Sequence, residues 1–163
     1  ERVTKSIDKE EICAMGNHTI VTREQVQMYT KFYEITYDKT LSEKKAIAYA
    51  KERNALYVAA MQNGYQVTDE QVKAYVEELK QNLDGIWTKE QKEKLLSGFA
   101  SEDDYWAFEQ KVYRIDLPIQ NYVRDKENEF NRKNESGQTW DEAFKTLKQN
   151  LVDEQQYKDS SSY

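Results

Sequence analysis

The sequence predicts a mainly α-helical protein with a short strand and turn near its start. One observation is the scarcity of turn residues, since only 5 Gly and 1 Pro occur in 163 residues. A β-sandwich or barrel needs a turn about every 8 to 12 residues, so this composition argues against both. Another is that apolar residues recur every three or four positions, which is the helical period. The last is a series of helix-capping signatures, which divide the chain into six helices.

The first element is a strand and turn over residues 11–21, the only segment that the sequence assigns to β-structure. Gly16 and Asn17 are turn residues between two short apolar stretches, as in a hairpin. Thr22 and Gln25 then form the pattern of a capping box, in which two side chains satisfy backbone N–H groups at a helix start. A first helix is predicted there, with an apolar stripe of Val26, Tyr29, Phe32, Tyr33 and Tyr37.

The second and third predicted helices meet at a glycine. Ser42 is a candidate N-cap, and the helix after it is apolar over a wide arc and rich in small residues, which indicates a central, buried helix. Gly64 ends it, because glycine readily adopts the left-handed conformation of a helix C-terminus. Thr68 and Gln71 repeat the capping box, and the helix that follows ends at Gly85.

The last three predicted helices are one short, one long and one C-terminal helix. The short helix covers Trp87 to Phe99. The long helix begins at Ser101 and extends to Phe130, with a bend at Pro118, which lacks a backbone N–H. A loop follows over residues 134–138.

A single helical domain over residues 1–151 accounts for these elements. It comprises the strand and turn at 11–21, helices within 22–130 and a C-terminal helix at 139–151. Residues 152–163 are predicted to be a polar tail that frays.

Charge and composition argue against several classes of function. The net charge is −6, which does not favour binding to a nucleic-acid backbone. The longest apolar run, Ala55 to Met61, is far shorter than the roughly 20 residues of a membrane-spanning helix. One Cys and one His cannot supply the usual four Cys/His ligands of a zinc site, so no metal or other cofactor is predicted.

No catalytic signature is present either. His18 is the only imidazole and lies in the predicted turn, where a solvent-facing turn residue is the expected interpretation. Cys13 is expected to be a small buried hydrophobe. The sequence therefore gives no positive indication of an enzyme.

The aromatic content is the one chemically suggestive excess, with 12 Tyr, 5 Phe and 3 Trp. Aromatic residues at helical spacing mostly belong to a core. Tyr also combines a large apolar area with a polar tip, which suits a surface that accepts varied peptides. The candidate peptide-binding residues are Tyr29, Tyr33, Tyr37, Tyr57, Tyr65, Trp87 and Trp106.

Three segments of the sequence resemble one family of proteins. Ala14 to Val26 is similar to the strand, turn and Thr-capped helix that open SurA/PrsA-type chaperone domains. Ala59 to Val72 resembles that family's junction of helix, glycine stop and capped helix, and Ser101 to Trp106 resembles the start of its next long helix. The similarity covers about residues 12–130, and Trp140 to Leu151 resembles the C-terminal helix that packs back onto the domain.

The sequence departs from the family in two places and lacks one part. Gly16-Asn17 replaces the usual Asn-Gly order, and the stretch from Leu83 to Phe99 fits loosely. Many relatives carry a parvulin peptidyl-prolyl isomerase domain before the C-terminal helix, whereas here only Asn131 to Thr139 joins the two helices. Isomerase activity is therefore not expected.

The resemblance implies a non-catalytic, extracytoplasmic chaperone that holds unfolded or extended polypeptide in an apolar, Tyr-rich groove. The cell envelope or the secreted fraction is its expected location, and a lipid anchor in a removed N-terminal segment stays open. The alternative is an envelope scaffold protein that reuses the fold to bind one specific partner. A dimer that exchanges helices is also left open, and no cofactor is implied.

Overall fold

A computed structural model describes residues 11–133 and 137–160, and this part of the chain contains six helices and three short strands. The helices are α1 (Arg23–Tyr37), α2 (Glu43–Gln62), α3 (Asp69–Asp84), α4 (Lys89–Leu96), α5 (Glu102–Lys133) and α6 (Trp140–Gln155). The strands β1 (Ile12–Met15), β2 (Ile20–Thr22) and β3 (Lys158–Asp159) form an antiparallel sheet in the order β2-β1-β3. The mainly helical fold predicted from the sequence is confirmed.

Threonine capping boxes begin four of these helices. In each box the threonine side chain accepts the N–H of the third helical residue, whose side chain accepts the threonine N–H in return. The boxes at Thr22 and Thr68 were predicted, whereas those at Thr88 and Thr139 follow the same sequence pattern and were missed. Gly64, with φ of 84°, takes the left-handed conformation predicted after α2.

The second helix, α2, is the centre of the fold, as its composition predicts. It packs against α1, α5 and α6. Small side chains allow this close approach on several sides, because an alanine occupies little of the space between two helix axes. The buried alanines of α2 are Ala46, Ala50, Ala55, Ala59 and Ala60.

The described core consists of three hydrophobic clusters along the molecule. The sheet cluster joins β1, β2, α1 and α2 through Cys13, Ala14, Val21, Val26, Tyr29, Ala46 and Ala50. The middle cluster joins α2, α5 and α6 around the buried residues Leu56, Ala59, Ala60, Ile119 and Tyr122. The aromatic cluster joins α3, α4 and α5 around Val72, Val76, Tyr105 and Trp106. Cys13 is buried, as expected from its residue type.

A buried asparagine, Asn54 of α2, connects the sheet to the first helix. Its Nδ2 donates to the backbone oxygen of Ile20 at 3.2 Å and to Oε1 of Gln25 at 2.9 Å. The hydroxyl of Tyr29 lies 3.5 Å from its Oδ1, at the outer limit of a hydrogen bond. Gln25 also closes the capping box of α1. The Asn54 side chain of α2 therefore links this helix to both β2 and the start of α1.

The β1–β2 turn receives the C-terminus of α6. Gly16 N–H donates to the backbone oxygen of Thr19 at 2.8 Å, which confirms the predicted turn. Asn17 N–H donates to the backbone oxygen of Gln155 at 2.7 Å, and His18 N–H donates to Gln155 Oε1 at 2.9 Å. A Cβ on Gly16 would lie 2.7 Å from Gln155 Oε1 and 2.9 Å from the Tyr157 ring, so a larger residue here would force these side chains to shift.

The chain beyond α6 differs from the prediction of a frayed tail. Residues 152–155 belong to α6, and Lys158–Asp159 forms a third strand beside β1, so residues 11–21 are not the only β-structure. The hydroxyl of Tyr157 donates to the backbone oxygen of Lys51 at 2.7 Å, and Asp159 forms an ion pair with Lys51. These long-range contacts order a polar segment that has little structural propensity of its own. The prediction also covered residues 161–163, which lie outside the described residues.

The short helix has different boundaries from those predicted, and parts of the predictions for the long helix and the loop stay untested. The short helix spans Lys89–Leu96 rather than residues 87–99, because Thr88 caps its start and the N–H of Ser97 closes its last turn on the backbone oxygen of Glu93. The long helix continues through Pro118, and the bend predicted there stays a prediction. Of the predicted loop, residues 134–136 lie outside the described part.

Candidate functional site

The seven aromatic candidates belong to separate parts of the molecule. Tyr29, Tyr33 and Tyr37 form a row on α1 that packs against Tyr49 of α2. The ring centroids of Tyr29 and Tyr33 lie 5.7 and 5.9 Å from that of Tyr49, and Tyr37 lies 4.7 Å from Tyr33. Tyr29 is buried, whereas Tyr37 is 57% exposed. Exposure therefore increases along the row from Tyr29 through the half-buried Tyr33 to Tyr37.

The two tryptophan candidates lie in the aromatic cluster. Trp87 stacks on Trp106 with 6.1 Å between ring centroids, and Trp106 packs edge to face against Tyr105 at 4.8 Å. Trp106 is buried, and its indole N–H lies 3.4 Å from Glu102 Oε1. Trp106 thus contributes to the core, as Tyr29 does.

The remaining candidates, Tyr57 and Tyr65, pack against the middle cluster. Tyr65 makes an edge-to-face contact with Tyr122 at 5.6 Å, and its hydroxyl donates to Asp125 Oδ2 at 2.7 Å. Both side chains are half-buried. The seven residues are therefore divided among different packing regions rather than gathered along one groove.

The structure contains a solvent-open groove between α1 and the segment around α4, with a volume of about 380 Å³. We call it the α1/α4 groove, and its lining residues are Lys31, Glu34, Ile35, Asp38, Gln91, Lys94, Leu95, Ser97, Gly98 and Phe99. None of the seven aromatic candidates lines it. The sequence predicts both helices, but their proximity is a long-range contact that helical periodicity does not encode.

The floor of the α1/α4 groove is apolar. Ile35, Leu95 and Phe99 are half-buried and pack on the aromatic cluster, so each has one side in the core and another toward the groove. No side chain of α4 is fully buried. The groove is thus built on a helix that is held mainly through partly exposed apolar contacts.

Charged residues of both signs form the rim. Lys31 Nζ donates to the backbone oxygen of Gly98 at 3.1 Å and lies 3.9 Å from the centre of the Phe99 ring. Lys94 forms an ion pair with Asp38 at 3.6 Å, and both side chains are highly exposed. An exposed pair of this kind contributes little to stability, so it can open at small cost.

Glu34 is the remaining charged residue of the rim. Its side chain is exposed, and among the residues that the structure describes no cation lies within ion-pair distance of its carboxylate. Glu34 lies one helical turn before Asp38, which caps the C-terminus of α1 and donates its N–H to the backbone oxygen of Glu34 at 2.8 Å. Two acidic residues therefore lie one turn apart where α1 ends.

The lining of the groove combines apolar and charged side chains. His18 is exposed in the β1–β2 turn, as predicted, and does not line it. Within residues 11–133 and 137–160, no group of three or more His, Cys, Asp or Glu could hold a metal ion.

One ionisable group is buried away from the groove. Glu109 of α5 is 3% exposed, and its Oε2 has no hydrogen-bond partner in the described structure. Removal from water raises the pKa of the Glu109 carboxyl, and the Tyr105 hydroxyl offsets this only in part. Burial likewise raises the pKa of Tyr105. This is a feature of the core, and its expected effect is on stability.

Comparisons with known proteins identify no relative. No protein-family model, no curated protein and no solved structure matches the chain. None of the helices in the two described stretches has the length and apolar character needed to cross a membrane. The resemblance to SurA/PrsA-type chaperones therefore stays a prediction.

Proposed function

We propose that this protein binds extended, apolar segments of polypeptide without catalysis, in the manner of a holdase chaperone. The observation that carries the proposal is the α1/α4 groove, with its apolar floor of Ile35, Leu95 and Phe99 and a charged rim. Its 380 Å³ can take a few side chains of a guest. Sites for small molecules are commonly enclosed and carry convergent polar groups, whereas this groove is open and its floor is apolar.

The described surface favours a soluble, reversible binder. Apart from the groove, single large hydrophobic residues such as Met15, Tyr37 and Ile86 are exposed, and a net charge of −6 opposes self-association. Reversible burial of a client's apolar side chains in the groove would keep client chains from aggregating with one another. The sequence resemblance to SurA/PrsA-type domains supports the same activity and is the only support for an extracytoplasmic location.

Fluorescence anisotropy with a labelled peptide tests the proposal. The probe is an extended peptide of about ten residues with Leu and Phe among Ser and Gly. We expect saturable binding, and we expect Leu95→Ser to weaken it by about tenfold, since a buried apolar side chain contributes roughly 1.5 kcal/mol or more. Ile86→Ser is the matched control, because Ile86 is 74% exposed and lies outside the groove.

Two further measurements decide the outcome. Circular dichroism of each variant establishes that its fold is intact, and light scattering of an aggregating client measures holdase activity. Absence of peptide binding together with absence of aggregation suppression at molar excess would contradict the proposal. Capture of one stoichiometric partner by a protein that binds no generic peptide would instead favour the envelope scaffold alternative.

A further inference from the structure

We propose that the α1/α4 groove selects segments in which a Lys or Arg lies beside the apolar side chain, with Glu34 as the residue that recognises the cation. The inference rests on the proposed peptide binding and names the chemistry of the preferred guest. It follows from which charges of the rim are already engaged and which are not.

Both cations of the rim already make contacts within the protein. Lys31 donates to the backbone oxygen of Gly98 at 3.1 Å, with its ammonium 3.9 Å above the Phe99 ring. These two contacts hold the Lys31 ammonium against Gly98 and Phe99. Lys94 is paired with Asp38 at 3.6 Å. An acidic peptide would therefore have to displace Asp38 from Lys94, or approach the Lys31 ammonium where Gly98 and Phe99 already hold it.

The anionic side of the rim has an unused charge. Asp38 has Lys94 as its partner, but within the described residues Glu34 has no cation in ion-pair range. Glu34 lines the same groove as Leu95 and Ile35. A guest whose apolar side chain rests on that floor can thus bring a neighbouring cation to Glu34 without breaking a contact of the free protein.

The end of α1 adds a second source of negative potential. The last turn of a helix carries a partial negative charge from its unpaired carbonyl groups. The last turn of α1 contains no basic residue to neutralise it, and Glu34 and Asp38 lie in or beside that turn. The C-terminus of α1 and the carboxylate of Glu34 therefore both favour a cation at the same end of the groove.

Three peptides with one apolar core test this preference by fluorescence anisotropy. They differ only in having Lys, Gln or Glu beside the Leu that occupies the floor. We expect the Lys peptide to bind about threefold to fivefold more tightly than the Gln peptide, and the Glu peptide to bind most weakly. Because the pairing is exposed, we also expect the preference to decline as salt is raised.

A matched pair of variants assigns the preference to Glu34. Glu34→Gln should remove it, so that the Lys peptide and the Gln peptide bind with similar affinities. Glu77→Gln makes the same change in net charge at an exposed position of α3 outside the groove and should retain it.

The possible failures are distinguishable. Equal binding of the three peptides to the unmodified protein would overturn the inference and leave peptide binding intact. A Lys preference that survives in Glu34→Gln would overturn the assignment to Glu34. Binding of none of the three would contradict the proposed function itself, and the inference with it.

Discussion

The sheet end and the α4 end of the molecule are held together by different means. At the sheet end, buried small residues, the Asn54 hydrogen bonds and the clamp between Gly16 and Gln155 determine the packing. At the α4 end, aromatic rings provide the contacts, and α4 itself buries no residue completely. The apolar surface of the α1/α4 groove lies at this less buried end.

A buried ion pair adds to the difference. Arg53 of α2 pairs with Asp116 of α5 in the interior, with little exposure of either side chain. The ion pairs that border α4, such as Lys94 with Asp38 and Lys92 with Glu102, are much more exposed. Removing one member of a buried pair leaves an uncompensated charge, whereas exposed pairs are nearly neutral in energy.

This contrast indicates a division between stability and function. A surface that binds other chains must leave apolar area uncovered, and such a region gains less from its own folding. The sheet end and α2 then have to supply the free energy of folding. Substitutions of the same kind at the two ends should separate these roles.

The largest expected effect is that of removing a buried leucine from α2. Leu56 is completely buried in the middle cluster, so Leu56→Ala should lower the free energy of unfolding by about 3 kcal/mol through lost burial and a residual cavity. Leu95→Ala in α4 is the matched change at a half-buried position and should cost about 1 kcal/mol. Urea denaturation measures both, and equal losses would contradict the proposed difference between the two ends.

A smaller loss of stability is expected from adding a Cβ at Gly16, where the β1–β2 turn closely approaches Gln155. Gly16→Ala would place a Cβ 2.7 Å from Gln155 Oε1 and 2.9 Å from the Tyr157 ring, so we expect a loss of about 2 kcal/mol. Gly98→Ala at the α4 end has open space around the added atom and should change stability by less than about 0.5 kcal/mol. Thermal unfolding distinguishes the two variants. If Gly16→Ala left stability unchanged, the side chains of Gln155 and Tyr157 would be able to move away from the added atom.

The smallest expected effect is a gain in stability at Glu109. Because burial raises the pKa of this carboxyl in the folded protein, the unfolded chain releases the proton at lower pH, and stability falls as pH rises from about 4.5 toward the raised pKa. Glu109→Gln removes this loss, so the variant should be more stable than the unmodified protein at neutral pH.

The pH dependence provides the control for that prediction. Denaturation curves between about pH 4 and pH 8 should show the difference between Glu109→Gln and the unmodified protein growing with pH. The exposed Glu77→Gln should follow the unmodified protein. A constant difference across the range would show that ionisation of Glu109 is not its cause.

Local signals in the sequence predicted much of the fold and little of the candidate site. Thr22 and Thr68 identified helix starts because a capping box needs residues only three positions apart. The same pattern at Thr88 and Thr139 was available and would have placed the start of α4 correctly. The groove joins Lys31 to Gly98 across distant parts of the chain, and no short-range pattern encodes that contact.

The aromatic candidates also show that local sequence patterns do not predict tertiary contacts. Residue type and helical spacing predicted an aromatic row on α1, and Tyr29, Tyr33 and Tyr37 form it. Whether each ring faces the core or solvent depends on what packs against it, so Tyr29 is buried and Tyr37 is exposed. Spacing alone could not separate them.

By itself the sequence determined the helical class, most helix boundaries and the β1–β2 turn, because capping, glycine conformation and hydrophobic period act over a few residues. Only the tertiary structure decided the rest. It joined Lys158–Asp159 to the sheet, buried Glu109 and set α1 beside α4. These features depend on contacts between residues distant in the chain, whose energies appear only when the helices pack together.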